Sequence, residues 1–282
     1  MSGSISFWVI AIWVAAVGGA VGSFLNVVIY RLPKMLEHQW ASECANMAGK
    51  EAEEVPVFNL VRPRSRCRQC GHPVLWHENI PLISYVFLRG KCSACHTPIG
   101  LRYPLVEVTT GLFFFWCFFH WGLTPTAAAW SGFAAALLAL AFIDWDTTLL
   151  PDDITLPLLW AGLIASALMW TDVPLMASLW GAVAGYLSLW SIYWVFKLAT
   201  GKEGMGFGDF KLFAALGAWF GWQALVPIIL MASVIGALVG IAMKFSSGLR
   251  EGGYVPFGPF LAGAGLAAMV FGPQSILRMA GL

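Results

Sequence analysis

Two aspartates and four cysteines are the residues here whose types and spacing could do chemistry. Asp209 stands in GMGFGDFK, residues 204–211, among three glycines at the mouth of an apolar segment. Asp144 closes an earlier apolar segment in AFIDWD, residues 141–146. Charged side chains at the edge of hydrocarbon are costly and tend to be functional. Two carboxyl groups that share one proton can hold and polarise a water molecule. One acts as general base on the water, and the protonated one polarises a scissile carbonyl. The pair requires two acids from separate elements, within hydrogen-bond reach, in a low dielectric that keeps one protonated near neutral pH. A membrane interface supplies that environment.

The other acids of the region have blander expected roles. Asp146 lies further into water, and Asp152 and Asp153, between Pro151 and an apolar run, are expected to cap a helix. Asp209 itself has a competing role as the cap of the short helix that follows it. Gly204, Gly206 and Gly208 argue for more, because a loop face without side chains lets another backbone approach closely. An extended peptide beside the acid fits that description. Gly206, Gly208 and Lys211 are therefore assigned to an active-site loop with Asp209. GMGFGD lacks the G-x-G-x-x-G spacing, and the chain has no P-loop signature.

Cys67 and Cys70, then 21 residues, then Cys92 and Cys95 form the second constellation. Two C-x-x-C pairs at this spacing read as a closed, tetrahedral zinc site of structural type. Two reduced pairs or two disulfides are the alternatives. His72, His77 and His96 lie nearby and could exchange in as ligands; with four cysteines present they are expected at the surface. Cys44 reads as a loop thiol and Cys117 as a small apolar residue in a membrane span.

These residues need elements to position them, and composition says what kind. The chain has 282 residues, 59% hydrophobic and only 11% charged, with a mean hydropathy of +0.74. A soluble domain carries about 25% charged residues. The expected fold is therefore an all-α polytopic membrane protein. A helical span takes about 20 mostly apolar residues, and eight segments are candidates: 5–30, 103–121, 126–144, 154–170, 175–197, 210–221, 224–244 and 255–277. The sixth is short and reads as tilted, half-buried or re-entrant. Gly18, Gly19 and Gly22 mark places for close helix approach in the first. Residues 2–29 lack a basic start and a cleavage site, and read as a retained span. No tandem repeat or low-complexity run is evident.

Residues 31–102 are too polar to cross a bilayer and read as a soluble insertion stapled by its metal. The expected division is a first span, 1–30, a four-cysteine zinc domain, 31–102, and a membrane catalytic domain, 103–282. Ten of the sixteen Lys and Arg lie in the insertion. With the insertion cytosolic and eight spans threaded, Lys197, Lys202, Lys211, Lys244 and Arg250 also fall on the cytosolic side, and only Arg278 does not. The same threading brings Asp144 and Asp209 to the cytosolic membrane surface. Glu51, Glu53, Glu54 and the arginines from Arg62 to Arg68 read as solvated faces, the arginines with the charge to meet anionic lipid headgroups. Trp145 and Trp219 read as interfacial anchors. No nucleic-acid partner is expected.

IDWDTTLLPDDITLP, residues 143–157, followed by GMGFGDFKL, residues 204–212, resembles the type IV prepilin peptidases, membrane aspartic proteases of the GxGD type. GSFLNVVIYRLP at 22–33, the two C-x-x-C pairs and VPFGPFL at 255–261 extend the resemblance over nearly the whole chain. By motif position it implies Asp144 and Asp209 as the catalytic pair in a bacterial inner-membrane enzyme. It implies cleavage of a basic leader, commonly after a glycine, from prepilins of type IV pili or pseudopilins of type II secretion. It further implies N-methylation of the exposed residue, usually phenylalanine, with S-adenosylmethionine. Residues 78–91, with Gly90, are a candidate for the methyl-donor site. Two rival readings are a transporter using the acids as an ion route and a non-enzymatic assembly factor docking through its zinc module.

Overall fold

The computed structural model describes residues 2–49, 58–245 and 255–279. Every one of the eight apolar segments forms a helix. They are α1 (Ser2–Met47), α3 (Arg102–Trp121), α4 (Pro125–Thr147), α5 (Asp152–Ala167), α6 (Leu175–Thr200), α7 (Phe207–Phe220), α8 (Leu225–Phe245) and α9 (Gly258–Phe271). Two short helices complete the set, α2 (Ile83–Phe87) in the polar insertion and α10 (Pro273–Met279). No strand occurs among the described residues, only two isolated antiparallel bridges.

The helix boundaries follow local chemistry. Four helices stop at a glycine with positive φ: α3 at Gly122 (67°), α6 at Gly201 (70°), α7 at Gly221 (80°) and α9 at Gly272 (78°). In each the glycine N–H returns to a carbonyl four residues back, satisfying an orphan acceptor of the last turn. Gly272 thus splits the expected last segment, 255–277, into α9 and α10. The first segment is longer than expected. α1 runs 46 residues, about 69 Å, and carries the helix well into the polar insertion through Pro33.

Four stretches are long and apolar enough to cross a membrane by length and composition: Ser6–Met47, Pro125–Thr147, Leu175–Thr200 and Trp222–Phe245. Eight spans were expected. Of the other four, α3 is long enough at 20 residues but carries Arg102, Glu107 and His120, while α5, α7 and α9 have only 16, 14 and 14 residues. These last three reach about 24, 21 and 21 Å, short of a hydrocarbon core of about 30 Å.

The chain forms two compact units, Met1–Ser131 and Gly132–Leu282. In the first, α1 and α3 make a close pair. A Cβ on Gly22 would lie 2.7 Å from the Glu107 Cα, and one on Gly18 2.9 Å from the Gly111 Cα. The glycines expected to permit close helix approach do so here. Asn26 Nδ2 donates to the Tyr103 carbonyl at 3.1 Å, setting the register at the end of the pair.

In the second unit α7 is the core. Asp209, Phe210 and every residue from Leu212 to Trp219 are buried. A helix apolar all round belongs inside other helices, and α5, α6 and α9 pack about it. Gly181 of α6 and Gly217 of α7 sit backbone on backbone, and a Cβ on Gly185 would lie 2.7 Å from the Phe213 carbonyl oxygen. Ser178 Oγ donates to the Ala218 carbonyl at 2.5 Å. Trp219, expected at an interface, is instead only 1% exposed. Its Nε1 donates to the Leu158 carbonyl at 2.9 Å, and its ring lies on Gly162 and Phe133. Gly181→Val would drive a branched side chain into the α7 backbone. We expect a loss of about 3 kcal/mol or more, read as a lowered unfolding midpoint in detergent.

Candidate active site and metal centre

Asp144 lies in the last turn of α4, which ends where Thr148 takes a positive φ of 55° and its N–H returns to the Asp144 carbonyl. The helix therefore runs one turn past the expected end, and Asp144 stays inside while Asp146 is exposed. Asp209 is the third residue of α7, after Gly206 as N-cap. Its carboxylate accepts the Gly206 backbone N–H, so the capping role is real, but it engages only part of the group. Asp209 Oδ1 is buried and has no hydrogen-bond partner among the described residues.

The two acids come from helices far apart in sequence and lie close enough for their charges to interact. Asp144 and Asp209 are 5% and 7% exposed, and the charge of Asp144 acts directly on Asp209. Two residues that the motif reading left without a role hold them there. A Cβ on Gly258, the first residue of α9, would stand 2.5 Å from Asp144 Oδ2 and 3.1 Å from Leu150 Cδ1. A Cβ on Gly208 would stand 2.6 Å from the Leu150 Cβ. Leu150, in the turn after α4, thus wedges between the starts of α7 and α9 beside Asp144. The signal for Gly258 was present in VPFGPFL, as a glycine before proline at a helix start, but its partner is 114 residues upstream.

The glycine run is used differently from expectation. Gly204 is filled by the Phe196 ring and Gly208 by Leu150, so both take part in internal packing. Gly206 borders the acid: a Cβ there would lie 3.8 Å from Asp209 Oδ2, with nothing nearer. Gly208 and Lys211 belong to α7 rather than to a loop. The Lys211 Nζ meets both oxygens of Asp152 at 2.7 Å. Asp152 and Asp153 are not N-caps; Pro151 holds that position and the two acids fill the first turn of α5. The Lys211–Asp152 pair ties the start of α5 to α7. Half-exposed as it is, it serves position more than stability.

In the other unit, Cys67, Cys70, Cys92 and Cys95 bring their four sulfurs within 4.8 Å of one another. The Cys67–Cys95 and Cys70–Cys92 sulfurs are 3.7 and 4.0 Å apart. Tetrahedral thiolate coordination with bonds of about 2.3 Å places sulfurs about 3.8 Å apart, so the cluster could hold one metal ion. A disulfide needs about 2.05 Å, and all four are free thiols. Cys95 is pushed down to about 6 by the hydroxyl and then the backbone of Thr97. Against the His72 N–H, burial and the neighbouring thiols push Cys70 up to about 12. Four thiols this close resist ionising together, and a cation among them removes that resistance.

The cluster is built on a short internal repeat, which corrects the expectation of none. RCRQCGHPV, residues 66–74, and KCSACHTPI, residues 91–99, fold alike. Each first cysteine donates its N–H to a carbonyl five residues on, His72 or Thr97, and each closes with a bridge, Arg66–Pro73 or Lys91–Pro98. Gly71 and His96 occupy the same left-handed turn position, with φ of 73° and 55°. His96 thus serves a turn, and His72 Nε2 lies 3.6 Å from Glu78 Oε2. Cys44 is exposed on α1 rather than in a loop, and Cys117 is fully buried in α3. Lys50, Glu51, Glu53, Glu54 and Arg250 lie outside the described residues.

Gly90, the methyl-donor candidate, takes φ 66° where the chain turns back from α2, and a Cβ there would lie 2.9 Å from the Tyr85 ring and hydroxyl. That contact and its left-handed backbone give it a packing role.

Residues 16–121 match the bacterial peptidase A24 N-terminal domain, and residues 131–241 match the type IV leader peptidase family. The prepilin leader peptidase/N-methyltransferase of Pseudomonas aeruginosa PAO1 is 50% identical over 258 residues, 91% of this chain and 89% of its own. The protein of that name from Aeromonas hydrophila is 50% identical over 266 residues, 92% of this chain and 89% of its own. That of Burkholderia pseudomallei strain 1026b is 47% identical over 267 residues, 94% and 86% respectively. No solved structure matches. At this identity and coverage, across both compact units, the chain belongs to the type IV leader peptidase family.

Proposed function

We propose that the chain cleaves the leader from prepilins or type II secretion pseudopilins with Asp144 and Asp209, and then methylates the new N-terminus. What supports the protease assignment is the burial of two carboxyl groups, from α4 and α7, near enough for their charges to interact. One carboxylate takes a proton from a water held between the two, and the protonated partner polarises the scissile carbonyl. Gly206 leaves room beside the acids for an extended peptide backbone, and Lys211 positions the α5–α7 junction through Asp152.

The cysteine cluster takes zinc in this reading, as a closed structural site that contributes folding energy to residues 58–101. S-adenosylmethionine supplies the methyl group. The chain sits in the bacterial inner membrane with the cysteine insertion and both aspartates on the cytosolic side. The shorter helices complete the eight-segment threading as tilted or partly buried segments. Division into a first span, a zinc domain and a catalytic membrane domain, 1–30, 31–102 and 103–282, belongs to the same reading.

The test is a paired assay on purified chain in lipid nanodiscs. The substrate is a peptide with a basic leader, a glycine–phenylalanine junction and an apolar helix, supplied with labelled methyl donor. Cut product carrying label on phenylalanine is expected. An intact substrate, with proton or cation flux through the protein instead, would establish the transport alternative.

Gly258 gives a sharper prediction. Gly258→Ala places a methyl group against Asp144 and should displace its carboxyl by a fraction of an ångström to an ångström. We expect a fall in kcat of about a hundredfold with the unfolding midpoint little changed. An unaltered kcat would show that the α9 start does not set the position of Asp144.

A further inference from the structure

Helix α2 presents apolar side chains that no other part of the described chain covers. Ile83, Val86 and Phe87 are 54%, 73% and 83% exposed, and Trp76 in the preceding turn is 82% exposed. A groove of about 440 Å³ opens beside α2, with Ile80, Ile83, Phe87 and Leu88 in its lining. In a polar insertion such a patch requires an occupant.

The segment leading into α2 shows which occupant. Pro81 packs on Gly19, in the middle of the first apolar run. The Leu82 N–H donates to Glu107 Oε2 of α3 at 2.8 Å, and Ser23 of α1 also hydrogen-bonds Glu107. Asn26 and Tyr103 mark one level of the α1–α3 pair. Gly19 lies seven residues before Asn26 on α1, about 10 Å away along the helix axis. The insertion therefore does not rest on the end of the helix pair. It dips beside it, to the level of Gly19 within the apolar run 5–30 of α1. α3 carries its own exposed Leu105, Val108 and Leu112 along the same stretch. Exposed Arg89 and Lys91 follow α2 directly, where the chain turns back toward the cysteine cluster.

We propose that α2 with Trp76 is a re-entrant wedge whose occupant is the acyl region of the cytosolic leaflet. Arg89 and Lys91 sit at the anionic headgroups above it. Glu107 is the positioning residue. A carboxylate is retained inside the helix pair because it accepts the backbone N–H of the residue that starts the wedge, which hydrocarbon leaves unpaired. The proposal rests on the reading of α1 and α3 as membrane-embedded, and the experiment separates the two.

The experiment places a photoreactive benzoylphenylalanine in the full chain, in native membranes, at one position at a time. Phe87→benzoylphenylalanine and Val86→benzoylphenylalanine probe the wedge, with Ile12 and Leu112 as membrane references and exposed Gln69 as the aqueous reference. After irradiation, mass spectrometry reads lipid adducts. We expect adduct yields at 86 and 87 within about threefold of those at 12 and 112, and about tenfold above that at 69. Lipid adducts at 12 and 112, with 86 and 87 at the level of 69, overturn the wedge and leave the membrane reading standing. Crosslinks from 86 or 87 to a second polypeptide overturn it in favour of a protein-docking face. Failure at all positions overturns both readings.

Discussion

Asp209→Asn and Asp144→Asn should each leave a folded, membrane-bound chain that no longer cuts the leader, with kcat down about four orders of magnitude or more. The substitution preserves shape and hydrogen-bonding reach but removes the ability to take or share a proton. The consequence is larger than that of losing a contact, because neither carboxyl can perform both halves of the reaction. As base, one must be ionised; as the group that polarises the carbonyl, the other must carry a proton. The double variant should therefore be little worse than either single one, the signature of residues that act as a unit. Substrate binding should persist, since the substitution keeps the shape of the site, so KM changes little beside kcat. Comparable kcat in either variant and the parent would end the two-acid reading. Additive losses in the double variant would mean that the two aspartates do separate jobs.

The second large effect falls on the cysteine cluster. Parent chain should carry about one zinc per chain by elemental analysis, and Cys67→Ser or Cys92→Ser should carry far less, because a structural zinc site relies on all four thiolates. Structural zinc contributes about 10 kcal/mol or more to small domains. The insertion has few buried apolar residues to replace that energy: Cys92 is the only buried hydrophobic residue between 58 and 101 among those described. Chelator treatment should consequently make residues 58–101 the first site of proteolysis while the second compact unit stays resistant. A chain that binds no zinc, or one whose insertion stays protease-resistant without it, would show that the knuckles stand on hydrogen bonds alone.

Which segments become helices was legible in the chain itself. Apolar runs of this density leave the backbone no partner but itself, and glycines at 122, 201, 221 and 272 mark where each helix can stop. The pairing of cysteines into one cluster was legible for a similar reason: C-x-x-C is a local turn, and local geometry is written in local sequence. The RCRQCGHPV and KCSACHTPI repeat was equally readable and was missed.

What lay beyond sequence depended on contacts between distant residues. Burial of Trp219, the use of Gly204 and Gly208 to seat Phe196 and Leu150, the approach of Gly258 to Asp144, and the Lys211–Asp152 pair all join elements that no local rule connects. Hydropathy cannot separate a residue facing lipid from one facing another helix, since both surroundings are apolar. Only tertiary packing made α7 an enclosed core helix, and that enclosure is what seats Asp209 beside Asp144, out of water.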